Sequence, residues 1–194
     1  MTHELIFATN NQHKITEIQS LIGNNFIIKS LEQIGCTEDI PETASTLEGN
    51  ALLKAQYVFN RYRKNCFADD TGLEIDALNG RPGVFSARYA TDGHDFEANI
   101  DKVLKELSGV KNRTARFRTV VVLILEKSVH YFEGIVNGKI ITERKGIKGF
   151  GYDPVFLPDG YNMTFAEMPL AEKNKISHRA RAVGKLVDFL NVSK

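Results

Sequence analysis

The residues 115–125 place the strongest limit on the fold. They are rich in β-branched side chains and become apolar on both faces in the second half of the stretch. A strand with two apolar faces must be covered on both sides, as in a sheet flanked by helices. Residues 129–142 are predicted as its hairpin partner, with Asn137 and Gly138 in a turn or bulge.

Helical periodicity appears toward both ends of the chain. Apolar residues recur at helical spacing over 15–22 and 47–62, and again from about His178 to the C-terminal end. Ser45 and Glu48 resemble a capping box at the start of the second helix. The short apolar runs 5–8 and 66–68 are predicted as strands, and 149–160 as a loop. Together these elements predict an α/β fold with a mixed β-sheet in a single domain, 1–194.

The composition excludes several classes of protein. The 25 Lys and Arg residues balance 24 Asp and Glu residues, so no basic field is present to attract nucleic acid. No run approaches the ~18 apolar residues of a membrane span, and the N-terminal apolar run is too short for a signal peptide. Cys36 and Cys66 lack metal-ligand spacing, which is typical of reduced thiols. We therefore expect a cytoplasmic protein that binds neither membrane nor nucleic acid.

A polar loop between the first strand and the first helix is a candidate phosphate site. The loop consists of Thr9, Asn10, Asn11, Gln12, His13 and Lys14. Backbone N–H groups at a helix N-terminus bind anions, and Lys14 adds a positive charge in the first turn. The glycine pattern of a Walker A loop is absent. The alternative is a loop whose asparagines only cap the helix.

Acidic residues form the second candidate site. Asp69 and Asp70 follow the apolar run 66–68, and alternation along a strand would point them to opposite faces. Mg²⁺ typically takes one or two protein carboxylates and completes its shell with water and phosphate oxygens. Glu42, Glu48 and one of the two aspartates could supply these ligands. The alternatives are a capping role for Glu48 and an Asp-rich turn at 69–72.

The loop Phe150, Gly151, Tyr152, Asp153 and Pro154 is a candidate base site. Aromatic faces bind nucleobases by stacking, and a carboxylate can hydrogen-bond a base edge. The alternative is a turn with a buried aromatic pair.

A basic segment precedes the last helix and includes Lys173, His178 and Arg179. Cations in the first turn oppose the helix dipole, and an anionic or carbonyl-rich ligand would remove that conflict. Arginine donates paired hydrogen bonds to carbonyl acceptors, which suits a 6-oxo purine. The alternative is a solvated basic helix entry.

Six motifs in this order resemble the non-canonical purine NTP pyrophosphatases, the inosine triphosphate pyrophosphatase family. They span nearly the whole chain, and their joint order is more specific than any one motif. The motifs are Thr9 to Lys14, Pro41 to Ala51, Ala68 to Leu73, Arg81 to Tyr89, Gly149 to Pro154 and Ser177 to Arg179. Asn10 and His13 stand where many members have glycine.

The resemblance implies Mg²⁺-dependent hydrolysis of dITP, ITP or XTP to the monophosphate and pyrophosphate. It implies a homodimer whose elongated mixed sheet is flanked by helices in two lobes, with the substrate in the cleft between them. Asp70 is then the proton acceptor and a metal ligand, and Glu42 is a second metal ligand. The substrate-binding residues implied are Thr9, Asn10, Asn11, Gln12, His13, Lys14, Lys54, Thr71, Phe150, Gly151, Tyr152, Asp153, Lys173, His178 and Arg179.

Two other functions remain open from the sequence. One is a related pyrophosphatase acting on pyrimidine triphosphates. The other is a nucleotide sensor without turnover, although a sensor gains little from acids beside a triphosphate. If the protein neither binds nor hydrolyses nucleotides, the remaining interpretation is a soluble α/β domain with capped helices.

Overall fold

The computed structural model describes residues 3–22, 26–93 and 95–192, so both ends of the predicted domain 1–194 lie outside the described residues. The described residues form five α-helices: α1 (Gln12–Ile22), α2 (Leu47–Tyr62), α3 (Phe96–Glu106), α4 (Leu170–Ile176) and α5 (His178–Val192). They also form seven strands: β1 (His3–Phe7), β2 (Phe26–Lys29), β3 (Cys66–Ile75), β4 (Pro82–Gly83), β5 (Thr114–Leu125), β6 (Ser128–Ile140) and β7 (Phe156–Pro158).

The strands form one mixed sheet. Its hydrogen-bonded order is β2-β1-β3-β5-β6-β7, and β4 pairs with β3 off this path. β1 runs parallel to β2 and to β3, whereas β3–β4 and β6–β7 are antiparallel pairs. The predicted α/β class and mixed sheet are confirmed.

The chain divides into two compact units. Unit 1 comprises the described residues of Met1–Asp70, Thr119–Gly134 and Arg179–Lys194, and unit 2 those of Thr71–Arg118 and Ile135–His178. The boundary between the units falls between Asp70 and Thr71, within β3.

The core of unit 1 forms where helices α1 and α5 bury their apolar faces against strands. Ile18 of α1 and Leu186 of α5 are fully buried with Phe67 of β3. The rings of Phe7 and Phe67 stack with centroids 4.6 Å apart. This packing is the result of the helical periodicity predicted for both segments.

Unit 2 has its own core, built around aromatic rings. Phe117 packs against Phe156 and Phe165, with ring centroids 4.7 and 6.1 Å apart. Ile100 and Val103 of α3 are fully buried in the same cluster. The apolar pattern of the sequence does not predict α3 or the short strand β7, which lies within the segment predicted as a loop.

The hairpin turn between β5 and β6 differs from the prediction. It consists of Glu126 and Lys127, which both adopt positive φ, at 48° and 73°. Asn137 and Gly138 instead lie within β6, where Gly138 pairs with Pro158 of β7. A side chain at position 138 would collide with the Leu157 carbonyl oxygen, so this glycine permits close strand pairing.

The cap of α2 also differs by one residue. Thr46, not Ser45, is the N-cap, and its hydroxyl accepts a hydrogen bond from Gly49 N at 3.1 Å. The predicted capping box between Ser45 and Glu48 is therefore wrong. None of the described helices is long and apolar enough to span a bilayer.

Candidate active site in unit 1

The loop before α1 is held by its own polar side chains. Thr9 Oγ1 accepts from Asn11 N at 3.1 Å, and Asn11 Oδ1 accepts from Lys14 N at 3.2 Å. Asn10 Oδ1 accepts from Glu32 N at 2.8 Å. Asn11 thus caps α1, as the alternative interpretation expected, while Lys14 occupies the first helical turn as predicted.

Asp69 and Asp70 lie inside β3, which continues to Ile75, so the alternative of an Asp-rich turn is wrong. The strand continues because Leu73 and Ile75 are fully buried in the core of unit 2. Gly72 allows β4 to approach, since a Cβ there would lie 2.6 Å from the Gly83 carbonyl oxygen. The two acids therefore occupy strand positions whose side chains project to opposite faces.

Asp69 lies among cations on one face. Its Oδ1 accepts from Lys14 Nζ at 2.8 Å, and its Oδ2 accepts from Arg179 Nε and Nη2 at 3.2 and 3.1 Å. Arg179 Nη1 also donates to Glu17, a residue that the sequence reasoning missed. The resulting chain of Lys14, Asp69, Arg179 and Glu17 balances two positive with two negative charges.

These neighbours control the ionisation of Asp69. Burial by itself would raise its pKa, but the charges of Lys14 and Arg179 outweigh burial and hold the pKa well below the usual range. Asp69 therefore stays ionised at any physiological pH and anchors both cations.

Asp70 lies in a different environment. Its Oδ2 accepts from Asn50 Nδ2 at 3.2 Å, and its Oδ1 lies 3.6 Å from Lys54 Nζ. The same ammonium donates to Glu42 Oε1 at 2.5 Å. Burial raises the pKa of Asp70, with Glu42 adding to the rise and Lys54 opposing it.

Helix α2 positions two of these groups on its buried face. Asn50 and Lys54, one turn apart, lie on the stripe that also contains Leu47, Ala51, Ala55 and Val58. Asn50 Oδ1 accepts from Ala44 N at 2.9 Å and so ties the segment bearing Glu42 to α2. Polar residues on a buried helical stripe are a signal that could have identified Asn50 from the sequence, and Glu17 on α1 likewise.

The donor set suits a hard divalent cation. Glu42 and Asp70 share one ammonium, so their oxygens already converge on a single positive charge. Across the residues that the structure describes, no three His, Cys, Asp or Glu side chains form a complete metal-ligand cluster. Mg²⁺ needs only one or two protein carboxylates when phosphate oxygens and water supply the rest, so the pair fits the ion.

A second polar cluster lies in unit 2. Lys173 Nζ donates to Asp153 Oδ2 at 2.6 Å and lies 5.5 Å from the Phe150 ring centroid. Asp153 Oδ2 also accepts from Phe150 N at 3.0 Å. Gly149 has φ of 75°, and a Cβ there would collide with the Asp153 carboxylate. The loop around Phe150 is thus fixed by one buried ion pair.

Tyr152 and His178 are buried in unit 2. Tyr152 Oη donates to the Ser86 carbonyl oxygen at 2.9 Å. The His178 ring stacks on Phe117 with centroids 4.5 Å apart and an interplanar angle of 19°. Gly151 has φ of 62°, and a Cβ added there would meet no neighbouring atom within 4 Å.

The predicted site residues therefore fall into two groups. In unit 1, Lys14 and Arg179 contact the Asp69 carboxylate, and Glu42 and Asp70 share the Lys54 ammonium. Phe150, Tyr152, Asp153, Lys173 and His178 belong to unit 2. Thr71 is half-buried, and Gln12 and His13 are exposed. Arg179 donates from three nitrogens to Asp69 and Glu17. To hydrogen-bond a nucleobase, it would have to give up or share some of these hydrogen bonds. Its role as a base reader stays a prediction.

Comparisons with known proteins agree over nearly the whole chain. A dITP/XTP pyrophosphatase of Flavobacterium johnsoniae is 53% identical over 191 residues, which cover 98% of this chain and 100% of the relative. One from Bacillus subtilis is 48% identical over 191 residues, 96% of each chain. The Staphylococcus aureus Ham1 protein structure superposes with a TM-score of 0.90 at 38% identity, covering 98% of this chain and 100% of that one.

The family model agrees with these relatives. It describes the Ham1 family and matches residues 5–189. The matched region includes every residue of the two polar clusters. On these grounds the chain belongs to the Ham1 family.

Proposed function

We propose that this chain is a Mg²⁺-dependent pyrophosphatase that hydrolyses dITP, ITP and XTP to the nucleoside monophosphate and pyrophosphate. Such an activity keeps deaminated purines out of DNA and RNA. The observation on which the proposal rests most is the convergence of Glu42, Lys54 and Asp70 in unit 1. Relatives more than 50% identical are dITP/XTP pyrophosphatases, which supports the same substrate class here.

In this proposal the residues of unit 1 bind the triphosphate and the metal. Lys14 and Lys54 supply positive charge to the phosphate oxygens, and the loop from Thr9 to Lys14 contributes backbone donors at the N-terminus of α1. Glu42 and Asp70 hold the divalent ion, which neutralises charge on the phosphate oxygens when bound. Thr71 contacts phosphate or sugar.

Asp70 is the proton acceptor in the hydrolysis. It orients or deprotonates the water that attacks the α-phosphorus, and pyrophosphate leaves. In the metal-free protein, burial and the nearby Glu42 carboxylate raise the pKa of Asp70, so this carboxylate accepts a proton more readily than Asp69 does. Most of the remaining acceleration comes from positioning and charge neutralisation.

The unit 2 cluster binds the base. Phe150 provides a stacking face, Asp153 and Lys173 provide a fixed donor and acceptor pair, and His178 favours a 6-oxo group. Discrimination against a 6-amino purine then arises because an exocyclic amine leaves buried polar groups unpaired. The predicted cleft between two lobes stays a prediction.

A pyrophosphate-release panel tests the function. Purified enzyme is assayed on dITP, ITP, XTP, GTP, ATP and dUTP, with and without Mg²⁺. We expect rapid, Mg²⁺-dependent release from dITP, ITP and XTP and slow release from ATP. Equal rates on ATP and ITP would refute the base selectivity, preference for dUTP would favour a pyrimidine enzyme, and binding without release would favour a sensor.

We also propose that the protein is a cytoplasmic homodimer. The dimer follows from the family resemblance, and the burial of both free thiols, Cys36 and Cys66, is compatible with a reducing compartment. Sedimentation equilibrium should give twice the 21.8 kDa mass of one chain. A mass of one chain at micromolar concentration would contradict the dimer.

A further inference from the structure

Lys54 is placed between two acids with little exposure to solvent. Its Nζ lies 2.5 Å from Glu42 Oε1 and 3.6 Å from Asp70 Oδ1. The Lys54 side chain is 9% exposed. The ammonium therefore occupies the position on which the two proposed metal ligands converge.

The charges in this cluster do not balance. One ammonium faces two carboxylates, so Glu42, Lys54 and Asp70 together carry a net charge of about −1 when ionised. A divalent cation would balance both acids, but it would repel the ammonium at the same position.

We propose that Lys54 is a resident counter-cation of the acid pair and moves from these carboxylates to the triphosphate when the metal binds. This inference rests on the proposed function of the site. Lys54 leaves the middle of α2 on a four-carbon stem, so its ammonium can change partners while the helix stays in place. Its transfer couples the binding of metal to the binding of triphosphate.

The coupling has a direction that can be measured. In the free protein, Lys54 competes with the metal for Glu42 and Asp70, so the metal alone binds weakly. Once a triphosphate offers other oxygens to the ammonium, the two acids become available to the metal. By linkage, the metal must strengthen triphosphate binding by the same factor.

Calorimetric titration of Mg²⁺ into nucleotide-free protein tests the proposal. Lys54→Met should bind Mg²⁺ at least ~10-fold more tightly than wild type, the lower end of what one neighbouring charge does to a carboxylate. Lys64→Met is the matched control, because Lys64 pairs with Glu4 and is 51% exposed. This control should change Mg²⁺ affinity by less than ~2-fold, as expected for a screened surface charge. Unchanged or weaker Mg²⁺ binding in Lys54→Met would overturn the proposal.

A second variant and a second readout protect the test against misfolding. Lys54→Gln keeps a hydrogen-bond donor without the charge and should show the same tightening. If either variant is destabilised, the Mg²⁺-dependent rise in Tm reports the affinity instead and should exceed that of wild type. A smaller rise than in wild type would contradict the proposal.

Adding the α,β-methylene analogue of ITP separates this proposal from the proposed function. In wild type the analogue should tighten Mg²⁺ binding, and in Lys54→Met this gain should be at least ~10-fold smaller because no ammonium has to be displaced. An equal gain in both proteins would overturn the coupling. Failure of the substrate panel with tighter Mg²⁺ binding in Lys54→Met would refute the pyrophosphatase and leave the competition intact.

Discussion

Asp69 and Asp70 are adjacent in β3, yet the two faces of the strand give them opposite environments. Asp69 is 1% exposed and accepts hydrogen bonds from two cations, Lys14 and Arg179. Asp70 is 7% exposed and shares a single lysine with Glu42. The pKa of Asp69 is lowered, because its two cations outweigh its burial, whereas burial and Glu42 raise the pKa of Asp70.

Adjacent positions of one strand can therefore serve stability on one face and reactivity on the other. An acid whose charge is balanced by neighbouring cations, such as Asp69, holds those cations in place. It stays ionised and takes up no proton near neutral pH. An acid with too little compensation is held in a higher-energy charged form and is available to a proton or a metal. Pairs of titratable groups whose surroundings separate their pKa values often divide structural and chemical roles in this way.

The largest effect that we expect is the loss of turnover when Asp70 is replaced. Asp70→Asn should lower turnover of ITP by ~10² to 10⁴-fold, the usual contribution of a general base, while the protein stays folded and binds nucleotide. Pyrophosphate release and equilibrium binding measure the two properties. Asp188→Asn, the same change at an exposed position of α5, serves as control and should keep full turnover. Substantial turnover in Asp70→Asn would refute the assignment.

The same change at Asp69 should act on stability instead. Asp69→Asn leaves Lys14 and the buried Arg179 without their shared carboxylate, and breaking a buried ion pair typically costs about 3–5 kcal/mol. Urea unfolding of the variant and of wild type measures the loss. A loss below ~1 kcal/mol, the range of exposed ion pairs, would contradict the anchoring role of Asp69.

A substitution of Lys14 tests whether the Asp69 side of β3 also binds the triphosphate. Lys14→Ala should weaken binding of the α,β-methylene analogue of ITP by ~10- to 100-fold, as expected for losing a hydrogen bond to a charged group. Lys29→Ala is the control, because Lys29 is 39% exposed and pairs with Glu4. Unchanged affinity in Lys14→Ala would count against the phosphate loop.

The smallest effect that we expect is a difference between Asp70 and Asp69 in how the free energy of unfolding depends on pH. The raised pKa of Asp70 contributes stability below its unfolded value of about 3.9, which is lost as pH rises through the folded pKa. Asp70→Asn should therefore be more stable than wild type at pH 7 and lose this advantage below about pH 4.

Asp69 should show the opposite sign. Its lowered pKa contributes stability above about pH 3.9 that disappears as pH falls through the folded value, so Asp69→Asn is least stable relative to wild type near neutrality. Thermal unfolding of both variants between pH 3 and 8 measures the two trends, and parallel curves for the two variants would contradict the comparison.

The sequence predicted the parts of the molecule that follow from local periodicity. The helices α1, α2 and α5 and the strands β3 and β5 appeared where the apolar patterns placed them, because each buries one stripe or both faces. Opposite faces for Asp69 and Asp70 follow from strand alternation alone. The order of motifs identified the family.

What the sequence did not predict depends on long-range partners or on turn geometry. Glu17 and Arg179 are 162 residues apart in the chain, and no spacing rule joins them. The turn at Glu126 and Lys127 contains neither glycine nor asparagine, so tertiary pairing of β5 and β6 overrides residue preference there. The length of β3 beyond Asp70 depends on burial of Leu73 in the unit 2 core.

The most direct test of the central claim is the position of bond cleavage. ITP is hydrolysed in water enriched in heavy oxygen, and the products are examined by mass spectrometry. If the Asp70 face directs water to the α-phosphorus, the heavy oxygen will appear in inosine monophosphate and the pyrophosphate will stay unlabelled. Label in pyrophosphate, or release of orthophosphate with inosine diphosphate, would contradict the account.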